Sequence, residues 1–512
     1  MVAASARIGY TLEMPHIGRR TFLQVAAGSA AALGSTGGLA TEAGSSAAEA
    51  PAAAPAPSGA PPARGVTRTL ARFVVNGRYE DLPARVRKEA VRTLLNYVGV
   101  AVGGSRTEAT ELAVAALSPF SGPAQASLFG RRERLDVMNA AFVNGVSSHV
   151  FDYDDTHLKT IIHPGGPVAS AILACSESRP VDGKQLLNAL VLGIEACCRI
   201  GNAVYPDHYD RGWHITGTAG VFGAAAACGK LMGLTEQQMV WALGLAASQP
   251  VGFRESFGSM NKSFNPGRAA MSGMFAAILA SKGFTSSEGM IEARRGWAPT
   301  ISTKQDYREI TEGLGQQYEA ALNTYKPFAC GIVLHPAIDA AIQLRNENRL
   351  TPDVIDHVEL RVHPLVLELT GKKTPQVGLE TKFSVYHAVA VAIVEGAAGE
   401  KQFSDRAAKS PAVLALRERV QPTVDAAVKP EQVVMTAVLE DGRRLTKRIE
   451  HAVGSLANPM TDQALEAKFT DLADGILPKP QARQLMELCW NVEKLSNAAD
   501  VVRAGTSKSG GA

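Results

Sequence analysis

Apolar positions recur at helical spacing through most of the chain. After Pro83, the residues Val86, Ala90, Leu94, Leu95, Val98 and Val102 fall three or four apart on one face, which predicts an amphipathic helix reaching Gly103. The same period predicts helices over residues 67–74, 108–117, 135–150, 168–178, 183–200, 220–231, 235–249 and 269–281. Thr235 with Gln238 three residues on reads as a capping box, and Thr216 or Thr218 is placed to cap the 220–231 helix. The pattern changes near Tyr318. Residues 318–327 read as extended, 354–362 alternate like a strand, and 433–440 with 443–450 flank Asp441-Gly442 as a β-hairpin. Helices are predicted from His335 and over 382–394, and the helical period returns at 461–469 and 480–495. The reading is a mainly α protein. A large all-helical domain (65–318) is followed by an inserted smaller α+β lid domain (319–455), and C-terminal helices (456–505) return to the helical domain.

Composition narrows the class. The 512 residues are 46% hydrophobic and carry a formal net charge of +3, so nothing points to nucleic acid or another polyanion as partner. No run of about 18 apolar residues follows the N-terminal region, so no membrane-spanning helix is expected in the mature chain. Arg19-Arg20-Thr21-Phe22-Leu23 precedes a mildly apolar stretch over 25–39, the order of a twin-arginine export signal. Residues 1–40 are therefore read as a signal peptide with a periplasmic destination, and 41–64 as an Ala/Pro-rich linker. The six Cys lie in apolar surroundings without metal-ligand spacing and read as small core residues.

The candidate chemistry is concentrated in Phe151-Asp152-Tyr153-Asp154-Asp155-Thr156-His157 and the following His163-Pro164-Gly165-Gly166. Three carboxylates between two apolar helices are costly to bury without cationic partners. Lys262, Lys326 and His214 are the best candidates for those partners. An organic acid/base site competes here with a solvated acidic loop and with a metal site, since Asp and His are ordinary ligands.

These segments, with Trp213-His214, Lys262 before Asn265-Pro266-Gly267, and Tyr325-Lys326-Pro327-Phe328 before His335-Pro336-Ala337, together resemble the MmgE/PrpD family. Its members include 2-methylcitrate dehydratases, cis-aconitate decarboxylases and an iminodisuccinate epimerase. The resemblance runs from about Thr67 to about Leu495. It implies a homodimer whose metal-free, cofactor-free site lies between a helical domain and a lid and takes a small-molecule polycarboxylate. Carried over residue by residue, the catalytic set is Asp152, His163, His214, Lys262 and Lys326. Asp155, Thr156, Arg268 and His387 are expected to bind substrate. The chain departs from the family pattern at Gly165, where a Ser often follows His-Pro, and at Phe383-Ser384-Val385-Tyr386-His387, which aligns His387 with a site Tyr.

The expected activity is that of a metal-independent carbon–oxygen lyase of the 2-methylcitrate dehydratase kind, removing water (or CO2) by His-mediated proton transfer next to a carboxylate. Fixed cations would hold the anions, and imidazoles would move the proton. An epimerase or isomerase of a related dicarboxylate stays open, as does a non-catalytic periplasmic carboxylate-binding protein. A Mg2+–diphosphate site suggested by the Asp pair lacks the fuller acidic pattern.

Overall fold

The computed structural model describes residues 65–507, so the expected signal peptide and linker lie outside the described residues. The helices follow the apolar spacing. In Ala84–Gly103 the buried face carries Val86, Ala90, Leu94, Leu95, Val98 and Val102. Gly183–Val204, opened by an Asp182–Gln185 capping box, is long and apolar enough to cross a membrane. Its apolar stretch is wholly packed inside the helical body. Glu236–Ala247 starts at the Thr235–Gln238 capping box. The six cysteines are free and buried.

Small residues let the central helices touch backbone to backbone. Gly145 in Val137–His149 crosses Gly267 in Asn261–Ser281, where a Cβ on Gly145 would lie 2.6 Å from the Gly267 Cα. The crossing matters because each helix carries a site residue near its end, His149 on one and Lys262 on the other. Gly145→Ala is expected to push the helices apart and cost about 1–3 kcal/mol of stability. Urea unfolding measures this, and an unchanged midpoint would show that the crossing tolerates a methyl group.

Two helix starts differ from the sequence reading. The helix expected over 269–281 begins at Asn261 and runs through Pro266, placing Lys262 in its first turn. The cost of Pro266 is one missing N–H, so the Lys262 carbonyl goes without its helical donor. Similarly, Ile215–Leu231 starts directly after His214 with no side-chain cap. The expected capping hydroxyls are engaged elsewhere: Thr216 accepts from the His163 N–H, and Thr218 pairs with the His208 ring.

Beyond Asn323 the chain builds a four-stranded sheet in the order Val420–Val424, Ile355–Val362, Val433–Leu439, Arg444–Ile449. The first pair is parallel and the other two are antiparallel. Val433, Met435, Ala437 and Leu439 are buried on the inner face, against the helices His335–Asn348 and Val385–Glu395. The C-terminal helix Asp462–Ala473, capped by Thr461, lies on Ala84–Gly103, where Phe469 closes over Gly99. The architecture is mainly α, a large helical body carrying a smaller α+β lid.

Candidate active site

The acidic segment leaves the helix Val137–His149 through a sharp turn. Asp152 has φ 50, a left-handed conformation that Asp tolerates better than most side chains. The chain then forms a short ladder, Asp155–His157 antiparallel to Asn323–Tyr325, with Asp155 opposite Tyr325 and His157 opposite Asn323. Lys326 follows that second strand. The ladder brings together groups 174 positions apart: Lys326 Nζ donates to Asp152 Oδ1 at 2.5 Å and to the Asp152 carbonyl at 3.0 Å. Lys262 Nζ lies 2.8 Å from the other carboxylate oxygen. Burial alone would raise the Asp152 carboxyl, but Lys262 and Lys326 outweigh it and hold the group well below the usual range. Burial lowers the Lys262 ammonium.

Two histidines stand over this triad with opposite tautomers. His163 Nδ1–H donates to the Asp155 carbonyl at 2.7 Å, leaving Nε2 as an acceptor. At His214, Asn265 Nδ2 donates to Nδ1 at 2.8 Å, so Nε2 carries the hydrogen. Burial pushes His163 down to about 3 and His214 well below its ordinary value, so both are neutral near pH 7. Asp152, His163, His214, Lys262 and Lys326 all line one small cavity of about 40 Å³. A wider chamber of about 310 Å³ shares the Asp152, Lys262 and Phe383 wall and adds His149, Lys382 and Glu400. There Lys382 Nζ donates to Glu400 at 2.5 Å, and burial pushes the Glu400 carboxyl up to about 7.

The four expected substrate-binding residues do not line the inner cavity. Thr156 is fully buried, its hydroxyl 3.2 Å from His163 Nδ1, and so helps to orient that ring. Asp155 accepts from the Gly165 N–H at 2.9 Å and from Asn323 Nδ2 at 2.7 Å, joining the ladder to the helix Gly165–Glu177. A Cβ at Gly165 would lie 2.7 Å from Asp155 Oδ1, which gives a physical reason for glycine there. Arg268 is exposed, its guanidinium against the Met271 sulfur. Six positions at 100° each carry it about 120° round the helix from Lys262. His387 is buried in the lid, with Nε2 donating to the Gln402 carbonyl at 2.9 Å, and Phe383 reaches the cavity instead.

Three participants were not singled out from sequence. Lys468, from a C-terminal helix, donates to the carbonyls of Tyr153 and Lys326 and to Asn96, tying both strands of the site together. Asn265 sets the His214 tautomer. His149 ends its helix with Nδ1 donating to Asp154 at 2.7 Å, and its ring meets His163 edge-on with centroids 4.9 Å apart. Its only sequence signal was a position three residues before Asp152. Among the described residues, His149, Asp154 and His163 are the one group of histidine and carboxylate donors close enough to hold a metal ion, with ligand atoms within 4.8 Å.

These buried groups predict how stability depends on pH. Burial is the leading cause that lowers His163, His208, His214, His335 and His387, and the leading cause that raises Asp155, Glu195 and Glu400 to about 7. Between about pH 4.5 and 6.5 the unfolded chain protonates five imidazoles that the fold keeps neutral, while the fold protonates three carboxyls that the unfolded chain ionises. The unfolded state therefore binds more protons, and stability is expected to rise with pH across that window. A urea midpoint that falls from about pH 5 to about pH 6.5 would contradict this balance.

The chain belongs to the MmgE/PrpD family. The family's N-terminal domain model matches residues 68–310 and its C-terminal domain model matches residues 328–492. It is 26% identical over 462 residues to a cis-aconitate decarboxylase of Aspergillus terreus, covering 85% of this chain and 94% of the relative. It is also 26% identical over 457 residues to the human cis-aconitate decarboxylase, covering 85% of this chain and 93% of the relative. The mouse enzyme of the same name is 24% identical over 461 residues, with 86% and 93% covered.

Proposed function

We propose, with membership of the MmgE/PrpD family as the premise, that this protein is a lyase acting on an aconitate-like polycarboxylic acid, and that the group removed is CO2. The observation that carries the reading is the convergence of Asp152, Lys262, Lys326, His163 and His214 on one cavity. The similarity to cis-aconitate decarboxylases favours loss of CO2 over the loss of water expected from sequence. In this reading the two ammonium groups, kept in place by Asp152, bind a substrate carboxylate, and His214 Nε2–H donates a second hydrogen bond to it. His163 lines the same cavity, its ring held by the Nδ1–H bond to the Asp155 carbonyl. One carboxylate arm of the acid enters the inner cavity. The rest of the acid extends into the outer chamber.

In the reaction, a carboxylate on the carbon next to an alkene leaves as CO2. Its electron pair moves into the adjacent carbon–carbon bond, and the far alkene carbon takes a proton. Fixed cations, Lys262 and Lys326, hold the substrate charges. The proposal also includes a homodimer and export to the periplasm directed by the segment around Arg19-Arg20.

The test is NMR of the purified protein in D2O with a panel of aconitate-like, citrate-like and aspartate-derived acids, with and without a chelator. Loss of CO2 with one deuterium on the product carbon, unaffected by chelator, is the expected result. Alkene formation from a hydroxy acid would replace decarboxylation by dehydration. Stabilisation by an acid without turnover would make this a binding protein, and activity restored only by added metal would transfer the chemistry to the His149–Asp154–His163 group.

A further inference from the structure

We propose that the acid taken by this site carries a linear alkyl chain, which passes through the outer chamber and lies in an apolar groove on the helical body. The inference rests on the lyase reading and narrows its substrate class. It starts from what the outer chamber offers to the part of the acid that extends beyond the inner cavity. Lys262 is engaged by Asp152 at 2.8 Å and by the carboxylate arm of the inner cavity. The chamber's other lysine, Lys382, donates to Glu400 at 2.5 Å and to the Ala329 carbonyl at 2.9 Å. Glu108, Glu400 and Asp405 line the same chamber, so carboxyl groups outnumber the remaining ammonium and a further anionic arm is poorly served there. Hydrocarbon is better served. Val150, Phe151, Met260, Leu379, Phe383 and Phe403 make up much of the remaining wall.

The chamber shares Ala109, Met260 and Ser263 with a groove of about 410 Å³. One bank of that groove is the helix Glu108–Leu117. Its Ala109, Leu112, Ala113 and Ala116 fall at i, i+3, i+4 and i+7, and so on one face. The buried residues of the helix, Thr110 and Val114, lie on a different face, so the stripe is not what anchors the helix to the body. The other bank is Phe142, Val146 and Phe264, with the Phe142 and Phe264 rings edge to face at 5.5 Å. Among the described residues no charged side chain lines the groove. Leu112 is 55% exposed, and Met260 and Phe264 are each 39% exposed, so this apolar surface gains from being covered.

Continuity with the site identifies what covers it. Met260 and Ser263, which the groove shares with the chamber, stand two residues before Lys262 and directly after it. A chain attached to an acid held at Lys262 is thereby delivered to the groove without a second binding event. Ala109 stands at the junction with only a methyl group, which leaves room for a chain to pass. An unbranched hydrocarbon matches such a path, because it has no polar group that would need a partner along it.

The experiment uses the whole protein and a series of aconitate-like acids that differ only in the length of one linear alkyl substituent, from none to about ten carbons. Turnover and stabilisation against heat are both measured. In the unaltered protein kcat/KM should rise roughly threefold to fourfold per methylene and then level off once the groove is filled. Ala109→Trp narrows the junction and should end the rise at a shorter chain. Leu112→Asp alters an exposed side chain, so the fold is kept, and it should flatten the rise for the longest chains. In each variant the unsubstituted acid is the internal reference, so the readout is the dependence on chain length and not the absolute rate. A kcat/KM that is flat or falls with chain length in the unaltered protein would overturn the inference while leaving the lyase reading in place. So would a rise that neither variant changes, or a Leu112→Asp variant that changes only the oligomeric state, which would give the groove to a second copy of the chain. If no acid is turned over, the lyase reading fails by itself, and heat stabilisation then decides the groove: it should still grow with chain length and weaken in both variants, and stabilisation independent of length would overturn the inference.

Discussion

Asp152→Ala is expected to abolish turnover and to lower stability by about 3–5 kcal/mol, because it leaves two buried ammonium groups without their shared counter-ion. The carboxylate lies between Lys326 at 2.5 Å and Lys262 at 2.8 Å, and each lysine side chain is at most 9% exposed. Without it the two cations repel each other in a medium that cannot solvate them. Asp152→Asn separates charge from shape. Asn keeps the tolerance for φ 50 and the side-chain volume, so it isolates the loss of the negative charge. Thermal unfolding of both variants, with and without the substrate acid, measures the effect. If Asp152→Ala is as stable as the unaltered protein, the triad is not the electrostatic centre described here. A gain in acid binding by Asp152→Asn, as substrate takes over the role of counter-ion, would support it.

His163→Ala and His214→Ala are each expected to lower turnover by a factor of roughly 10²–10⁴ with the fold intact. Their tautomers are opposite, so their effects should separate. Losing His214 removes a donor to a bound carboxylate and should weaken binding as well as rate. Losing His163 removes an imidazole from the cavity wall beside the reacting carbon and should act mainly on the rate. Asn265→Ala should resemble a weaker His214 variant, since the Asn265 amide is what fixes the His214 tautomer at 2.8 Å. Steady-state kinetics that split kcat from KM decide this. Near-full activity of both histidine variants would remove the imidazoles from the mechanism.

Much of this site was legible before the fold. Asp152, His163, His214, Lys262 and Lys326 were named from sequence and share one cavity. They were legible because charged side chains are conspicuous in apolar, Ala- and Gly-rich surroundings, where burial demands partners. Arg268 and His387 looked equally suitable, and the fold turns one to solvent and buries the other inside the lid. Their sequence signal was chemical type alone, and residue type does not specify which side of a helix meets a cavity. Lys468 was illegible for the opposite reason. It lies on a surface-like amphipathic helix near the C-terminus, and only the packing of that helix on Ala84–Gly103 delivers its ammonium to the Tyr153 and Lys326 carbonyls.

By itself the sequence determined the helical body, the β-hairpin of the lid and the capping box at Thr235, because periodicity and end signals act over a few residues. It also determined that the acidic segment needed cations. Tertiary structure decided which cations those are, through a three-residue ladder that places Lys326 beside Asp152 and a glycine crossing that brings Lys262 to the same carboxylate. It also decided that His149 pairs with Asp154, that Asp155 braces the ladder, and that Pro266 lies inside a helix. These outcomes depend on contacts between residues far apart in the chain, whose energies of burial and charge exceed the local preferences that a sequence displays.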